Sequence, residues 1–344
     1  VLKPVQKKSI LDAKAAFRKA LVTWFGQQAK DYPWRRTTDP YEILISEVML
    51  QQTQIATVLG KGYYMRFLQA FPNVQKLALA TDDALLKAWE GLGYYRRVRM
   101  LRETARAVRD RHAGSFPEQL EDLLSLPGIG PYTAGALRAF AFGKAAVLVD
   151  GNVARVLARL MDFQSPIDDG TGIKQLWHWA GILADDKHPR EYHAALMELG
   201  QQLCRPRGPD CLNCPVAAFC ATAEPDLLPI KGRKVQVTEL LEHALWLRDH
   251  EGRLLMHCEQ GKRRTGLWKL PVRKVKELRG MPVMSKSKYG ITRYRVSLSV
   301  HDGGMATSNE PLRPGDQWVA MDAIAGLAMA APFRKVVERL MMDF

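Results

Sequence analysis

The sequence predicts a mainly α-helical region over residues 1–228, a linker at 229–238 and a smaller α+β domain over 239–344. Three observations carry that prediction. Before position 228, apolar residues recur at helical spacing in segments that open with helix-capping residues. Four of the five cysteines, Cys204, Cys211, Cys214 and Cys220, then close the helical region in one compact loop. Beyond Pro229 the spacing shifts to the alternation of strands. A length of 344 residues suits about two domains. With 47% hydrophobic and 25% charged residues the chain is globular in composition, which excludes disorder as its main state. No apolar run reaches the ~18–20 residues of a membrane span. The opening Val1-Leu2-Lys3-Pro4 lacks the apolar core of a signal peptide, so a cytoplasmic protein without membrane contact is expected.

The elements follow in order. Ile10, Ala13, Phe17, Leu21 and Trp24 keep a 3.6-residue rhythm and predict a helix over 9–29. Asp39-Pro40 reads as an N-cap with proline at the first helical position, opening a helix over 41–59. Thr81-Asp82-Asp83 starts another, with acids in its first turn. Short helices are expected over 118–126, 153–161 and 173–183, and one short strand pattern over 145–149. Past Pro229, residues 242–248 and 253–258 flank the turn Asp249-His250-Glu251-Gly252 and predict a β-hairpin. Tyr294, Val296, Leu298 and Val300 alternate as in a half-buried strand, and Phe333, Val336, Val337, Leu340 and Met341 make a terminal amphipathic helix.

The cysteine spacing, C-x6-C-x2-C-x5-C, differs from the paired short spacings usual for zinc. Four thiolates on one loop suit a [4Fe–4S] cube, whose four irons each take one sulfur, with zinc or unrelated thiols as the alternatives. A formal charge of +14 makes a polyanion the first partner to consider, against a role in solubility alone. Most of that surplus lies beyond residue 230.

The stretch Leu126-Pro127-Gly128-Ile129-Gly130-Pro131-Tyr132 joins two helical segments. Gly128 and Gly130 permit a tight turn that aims backbone N–H groups outward at a helix start, a geometry that binds phosphate without side-chain charge. Here the sequence resembles the helix-hairpin-helix DNA glycosylases. Asp150 precedes a helix, whose N-terminus favours its charged form. Glu47 lies among Ile43, Leu44, Ile45, Val48 and Met49, where desolvation would raise its pKa and let it act as an acid near neutrality. Glu47-Val48-Met49-Leu50-Gln51-Gln52-Thr53-Gln54, Gly91-Leu92-Gly93-Tyr94-Tyr95, the glycine turn, Val149–Val153 and the four cysteines occur in order. Together they resemble the MutY-type adenine DNA glycosylases, strongly over 35–228.

The resemblance implies removal of adenine mispaired with 8-oxoguanine or guanine in double-stranded DNA by a monomer carrying a [4Fe–4S] cluster on the four cysteines. It implies that Glu47 protonates adenine, that Asp150 stabilises the oxocarbenium-like sugar, and that Tyr132 and Asn152 orient these acids. Trp34 and Arg35 would line the adenine pocket. Gln52, Thr53, Leu92 and Tyr94 would fill the gap left by the flipped base, and Gly128 and Gly130 would hold the backbone. Related bifunctional enzymes carry a nucleophilic lysine where Tyr132 stands. A tyrosine forms no Schiff base, so a monofunctional enzyme leaving an abasic site is expected.

In the second domain, Gly266-Leu267-Trp268-Lys269-Leu270-Pro271 resembles a segment of the family's Nudix-like C-terminal domain. The next residues, Val272–Arg279, are basic with one acid, which suits a recognition module better than a Mg²⁺-dependent hydrolase. The family's 8-oxoguanine loop would correspond to Ile291-Thr292-Arg293-Tyr294, with Thr292 and Arg293 as donors.

Overall fold

The structure is a computed structural model and describes residues 10–232, 236–261, 264–306 and 311–342. The helices in chain order are α1 Lys14–Gln28, α2 Pro40–Leu50, α3 Ile55–Gly60, α4 Tyr63–Ala70, α5 Val74–Ala78, α6 Asp82–Ala88 and α7 Arg96–Arg111. They continue with α8 Leu120–Ser125, α9 Pro131–Ala136, α10 Gly151–Leu160, α11 Gly170–Leu183, α12 Pro189–Gln202 and the late α13 Ala331–Met342. The strands are β1 Thr238–Arg248, β2 Leu254–Cys258, β3 Trp268–Lys269, β4 Val283–Ile291, β5 Tyr294–Met305 and β6 Asp316–Val319. This is a helical region followed by an α+β domain with a mixed sheet, as the sequence predicts.

The chain divides into two compact units that do not follow chain order. One comprises Val1–Gln51 with Ala107–Lys234, and the other Gln52–Arg106 with Val235–Phe344. In the first, α1, α10, α11 and α12 share a core built on Phe17, Leu21, Val153, Leu157, Leu183 and Leu196. Helix α10 presents that face because its apolar residues recur at helical spacing behind the N-cap Asp150. Helix α12 begins at Pro189, where a missing N–H costs nothing.

In the second unit, Phe67 of α4, Leu85 of α6 and Trp89 just after α6 are fully buried, with Phe67 edge-on to Trp89 at 5.5 Å. The sheet order is β3-β2-β1-β5-β4, with β6 also on β2. β1 and β5 run parallel, while β1–β2 and β4–β5 are antiparallel. Trp246, Met256, Leu298 and Val300 line the face that α13 covers with Phe333, Val337 and Leu340. The hairpin about Asp249–Gly252, the alternating strand from Tyr294 and the terminal helix all form as expected.

Three expectations need correction. The helix over 41–59 is two helices, because the chain leaves α2 after Leu50 and Gln52 takes a left-handed φ of 58° before α3. Residues 145–149 form no strand. Val147 instead lies against α9, where Gly135 permits the approach: a Cβ there would lie 2.3 Å from the Val147 carbonyl oxygen. The first helix starts at Lys14, and Ser9, where it was expected to begin, lies outside the described residues.

Candidate active site

Glu47 is fixed by a helix whose start is written in the sequence. Asp39 accepts the Tyr41 N–H at 2.8 Å, and Pro40 occupies the first turn. Seven residues on, Glu47 is 6% exposed among apolar neighbours of α2. Tyr132, in the first turn of α9, donates its hydroxyl to Glu47 Oε2 at 2.7 Å. Burial pushes the Glu47 carboxyl up, the Tyr132 hydrogen bond opposes that, and the charge of Asp150 adds to it, leaving a pKa of about 7. Burial also holds the Tyr132 phenol protonated well above its usual range, so it remains a donor.

Asp150 is the N-cap of α10, accepting the Val153 N–H at 2.7 Å and the Asn152 amide at 3.0 Å. Burial raises its pKa, while those donors and Arg155 pull it back toward the ionised form. Arg155 holds the other end of Asn152, donating to its Oδ1 at 3.0 Å, and also reaches the carbonyls of Gly200 at 2.7 Å and Cys204 at 2.8 Å. Gly200 is required here, since a Cβ would lie 2.7 Å from that of Asn152. The result is two acids in different environments, a buried Glu47 that titrates near neutrality and a half-buried Asp150 surrounded by donors.

Trp34 and Arg35 lie on a short 3-10 turn packed on α2. Trp34 is buried and stacks with Tyr32 at 5.3 Å. Arg35 lies over the Tyr32 and Phe25 rings at 4.7 and 5.1 Å. Its guanidinium donates to Glu198 Oε2 at 2.6 Å, and the Glu198 side chain is fully buried. Arg190 ties the same turn down through the carbonyls of Arg35 and Thr37, at 2.8 and 2.7 Å. In the glycine turn, Gly128 has a φ of 78° and Gly130 is extended at −98°. The turn therefore needs glycine conformationally at Gly128 alone.

The other DNA-facing candidates belong to the second unit. Gln52 and Tyr94 are exposed and have positive φ, 58° and 47°. Thr53 is half-buried, whereas Leu92 is buried at 6% exposure. Thr292, with a φ of 53°, and Arg293 form the exposed two-residue turn between β4 and β5. Arg293 donates to the Tyr294 hydroxyl at 3.0 Å and lies over its ring at 5.2 Å.

Cys204, Cys211, Cys214 and Cys220 line one cavity of about 260 Å³ together with Val156, Leu160 and Val216. Among the described residues no three His, Cys, Asp or Glu side chains converge on a single metal position. A cube needs four sulfurs spread around a volume, one for each iron, so four thiols about a common cavity fit such a group. Arg159 supports the loop, donating to Cys204 Sγ at 3.2 Å and to the Arg205 carbonyl at 2.8 Å.

Sequence reasoning missed Glu198, Arg155, Arg190 and Gly200. Glu198 had one usable signal, an acid on the apolar face of an amphipathic helix. The others are defined by contacts across long sequence separations.

A family model described as HhH-GPD superfamily base excision DNA repair protein matches residues 45–202. An adenine DNA glycosylase of Homo sapiens is 43% identical over 214 residues, covering 60% of this chain and 39% of the relative. One from Buchnera aphidicola is 36% identical, covering 59% of this chain and 57% of the relative. The chain thus spans well under two thirds of the length of these relatives. The solved structure of a thermostable thymine-DNA glycosylase superposes with a TM-score of 0.56 at 30% identity, covering 62% of this chain and 98% of that one.

Proposed function

The chain belongs to the HhH-GPD superfamily of base excision DNA repair proteins, and from that premise we propose that it excises adenine mispaired with 8-oxoguanine or guanine. The observation that carries this reading is the pairing of Glu47, bonded to Tyr132 and titrating at about 7, with Asp150 at the start of α10. Cleaving an N-glycosidic bond from adenine needs a proton for the departing base and a negative charge for the sugar. Glu47 protonates the departing base and Asp150 balances the sugar's positive charge; water then adds to the sugar and returns a proton to Glu47, with Asn152 fixing the Asp150 carboxylate and Tyr132 orienting Glu47.

The adenine leaves the stack before it reacts, because its reacting atoms are inaccessible within a duplex. Trp34 and Arg35 line its pocket, and Glu198 holds the Arg35 guanidinium against that wall. Gln52, Thr53, Leu92 and Tyr94 occupy the space it vacates. Of these, Gln52 and Tyr94 are already exposed, while Leu92 must leave its packing to do so. Gly128 and Gly130 hold the phosphate backbone at the start of α9, and Thr292 and Arg293 contact the 8-oxoguanine opposite.

Tyr132 provides no amine at the reacting sugar, so the product is an abasic site with an unbroken strand. Cys204, Cys211, Cys214 and Cys220 would hold a [4Fe–4S] cluster. Through such a cluster the four thiolates would be cross-linked and the loop held in one fold. The enzyme works as a monomer on duplex DNA in the cytoplasm, and among the described residues no helix is long and apolar enough to cross a membrane.

Base release from defined duplexes carrying A:8-oxoguanine, A:G or an oxidised pyrimidine tests the reading. Release of adenine from the first two, without strand cleavage, is expected. Release of the pyrimidine alone would make this a glycosylase for another lesion. Binding without release would make it a non-catalytic DNA-binding protein.

A further inference from the structure

The loop Gly91–Tyr94 carries an unusual backbone. Gly91, Gly93 and Tyr94 all have positive φ, at 90°, 70° and 47°. Any side chain at Gly91 would collide with Tyr63, whose hydroxyl would lie 2.1 Å from a Cβ. Glycine adopts such a φ without cost, but Tyr94 holds it only where surrounding contacts over-determine it. The inner contacts are evident: Trp89 Nε1 donates to the Gly93 carbonyl at 3.0 Å, and Arg97 donates to the carbonyls of Leu92 and Gly93 at 3.1 and 3.3 Å. They hold the loop's carbonyls inward and leave the Tyr94 ring half exposed.

The outer contacts come from the C-terminal part of the same unit. Glu90, just before the loop, accepts from Arg334 Nε at 2.7 Å, from Lys87 at 2.7 Å and from the Met329 N–H at 3.3 Å. Tyr95, just after the loop, donates its hydroxyl to the Met329 carbonyl at 3.0 Å. The peptide groups of one residue therefore hold both ends of the loop. Met329 is fully buried in the core under α13 and bridges to Trp268 beside the sheet. Arg334 and Glu90 are both largely buried, and Arg334 also donates to the carbonyls of Ile324 and Leu327. Charge-assisted bonds with this many partners fix orientation as well as proximity.

We infer that the C-terminal α+β layer positions the duplex-entering loop through Glu90 and Tyr95, besides presenting the Thr292–Arg293 turn. Glu90 and Tyr95 are positioning residues, and the C-terminal layer acts on adenine extrusion whatever base stands opposite. The inference rests on the reading that Leu92 and Tyr94 enter the duplex.

The test uses the full chain and duplexes with 2-aminopurine in place of the target adenine, opposite 8-oxoguanine or guanine. The fluorescence rise on unstacking is followed under single-turnover conditions. Tyr95→Phe removes one hydroxyl and keeps the ring, and Glu90→Gln removes the charge that Arg334 meets. Each is expected to slow the rise by roughly 3- to 30-fold, the range for coupling changes of this kind, and by the same factor opposite either base. A Tyr95→Phe rise as fast as wild type, or one slowed only opposite 8-oxoguanine, would overturn the inference. Tyr94→Ala separates the two levels. If it slows the rise and Tyr95→Phe does not, the bracing fails while the loop reading stands. If Tyr94→Ala has no effect, the loop reading fails and the inference with it.

Discussion

The Tyr132 hydroxyl donates to Glu47 Oε2 at 2.7 Å, across 85 residues of sequence. That bond favours the charged carboxylate, whereas burial and the charge of Asp150 favour the protonated acid. The balance near 7 gives a pH dependence with a defined sign. On the proposed role of Glu47 as the acid, base release needs its protonated form, and its rate is expected to fall as pH rises through about 7. Tyr132→Phe removes the opposing bond, raises the Glu47 pKa and moves that limb to higher pH. Single-turnover rates from pH 5 to 9 measure the shift, and a limb moved to lower pH would contradict it.

The same burial has a stability consequence. The folded-state pKa of Glu47 lies above its ordinary value of 4.5, so the folded protein binds the proton more tightly. The associated stability is fully present below about 4.5 and is lost as pH rises through about 7. Glu47→Gln removes the penalty of ionising a buried acid, which amounts to up to about 3 kcal/mol above neutrality. Denaturant unfolding at pH 8.5 should find the variant more stable than wild type, and the gain should vanish near pH 4.5. An equal gain at both pH values would place the effect elsewhere.

Arg35 and Glu198 form a pair in which the carboxylate is fully buried. Removing the cation alone leaves that charge uncompensated, at a cost of about 3–5 kcal/mol. Arg35→Ala should therefore destabilise strongly, and adding Glu198→Gln should restore part of the loss. Chemical denaturation of the two single variants and the double variant measures the coupling. Simple additivity would mean that the pair does not act as a unit.

Thr292 and Arg293 form the exposed tip of the β4–β5 hairpin, with backbone already in turn geometry. Replacing both with alanine should reduce the preference for A:8-oxoguanine over A:G, with base recognition worth about 1–3 kcal/mol. The ratio of single-turnover rates on the two duplexes reads this directly. An unchanged ratio would remove the hairpin from partner-base recognition.

Much of this site was legible because local chemistry fixes it. Asp39-Pro40, Thr81 and Asp150 each cap the helix that follows them, through a side-chain oxygen bonded to a backbone N–H. An acid inside an apolar helical run pointed to Glu47. The break after Leu50 was hidden, because Gln52 is not a residue that announces a left-handed backbone. The grouping of Gln52–Arg106 with Val235–Phe344 was also hidden, since it depends on contacts such as Arg334 to Glu90 across 244 residues. Glu198, Arg155 and Gly200 owe their importance to what they touch. Nothing in local sequence shows that Gly200 leaves room for Asn152.

The proposed function stands or falls with Glu47 as the donor of the proton that releases adenine. Single-turnover incubation of wild type and Glu47→Gln with an A:8-oxoguanine duplex, with binding followed in parallel, tests it most directly. Wild type is expected to release adenine, and Glu47→Gln to keep binding with release abolished. Turnover by Glu47→Gln at a rate comparable to wild type would contradict it.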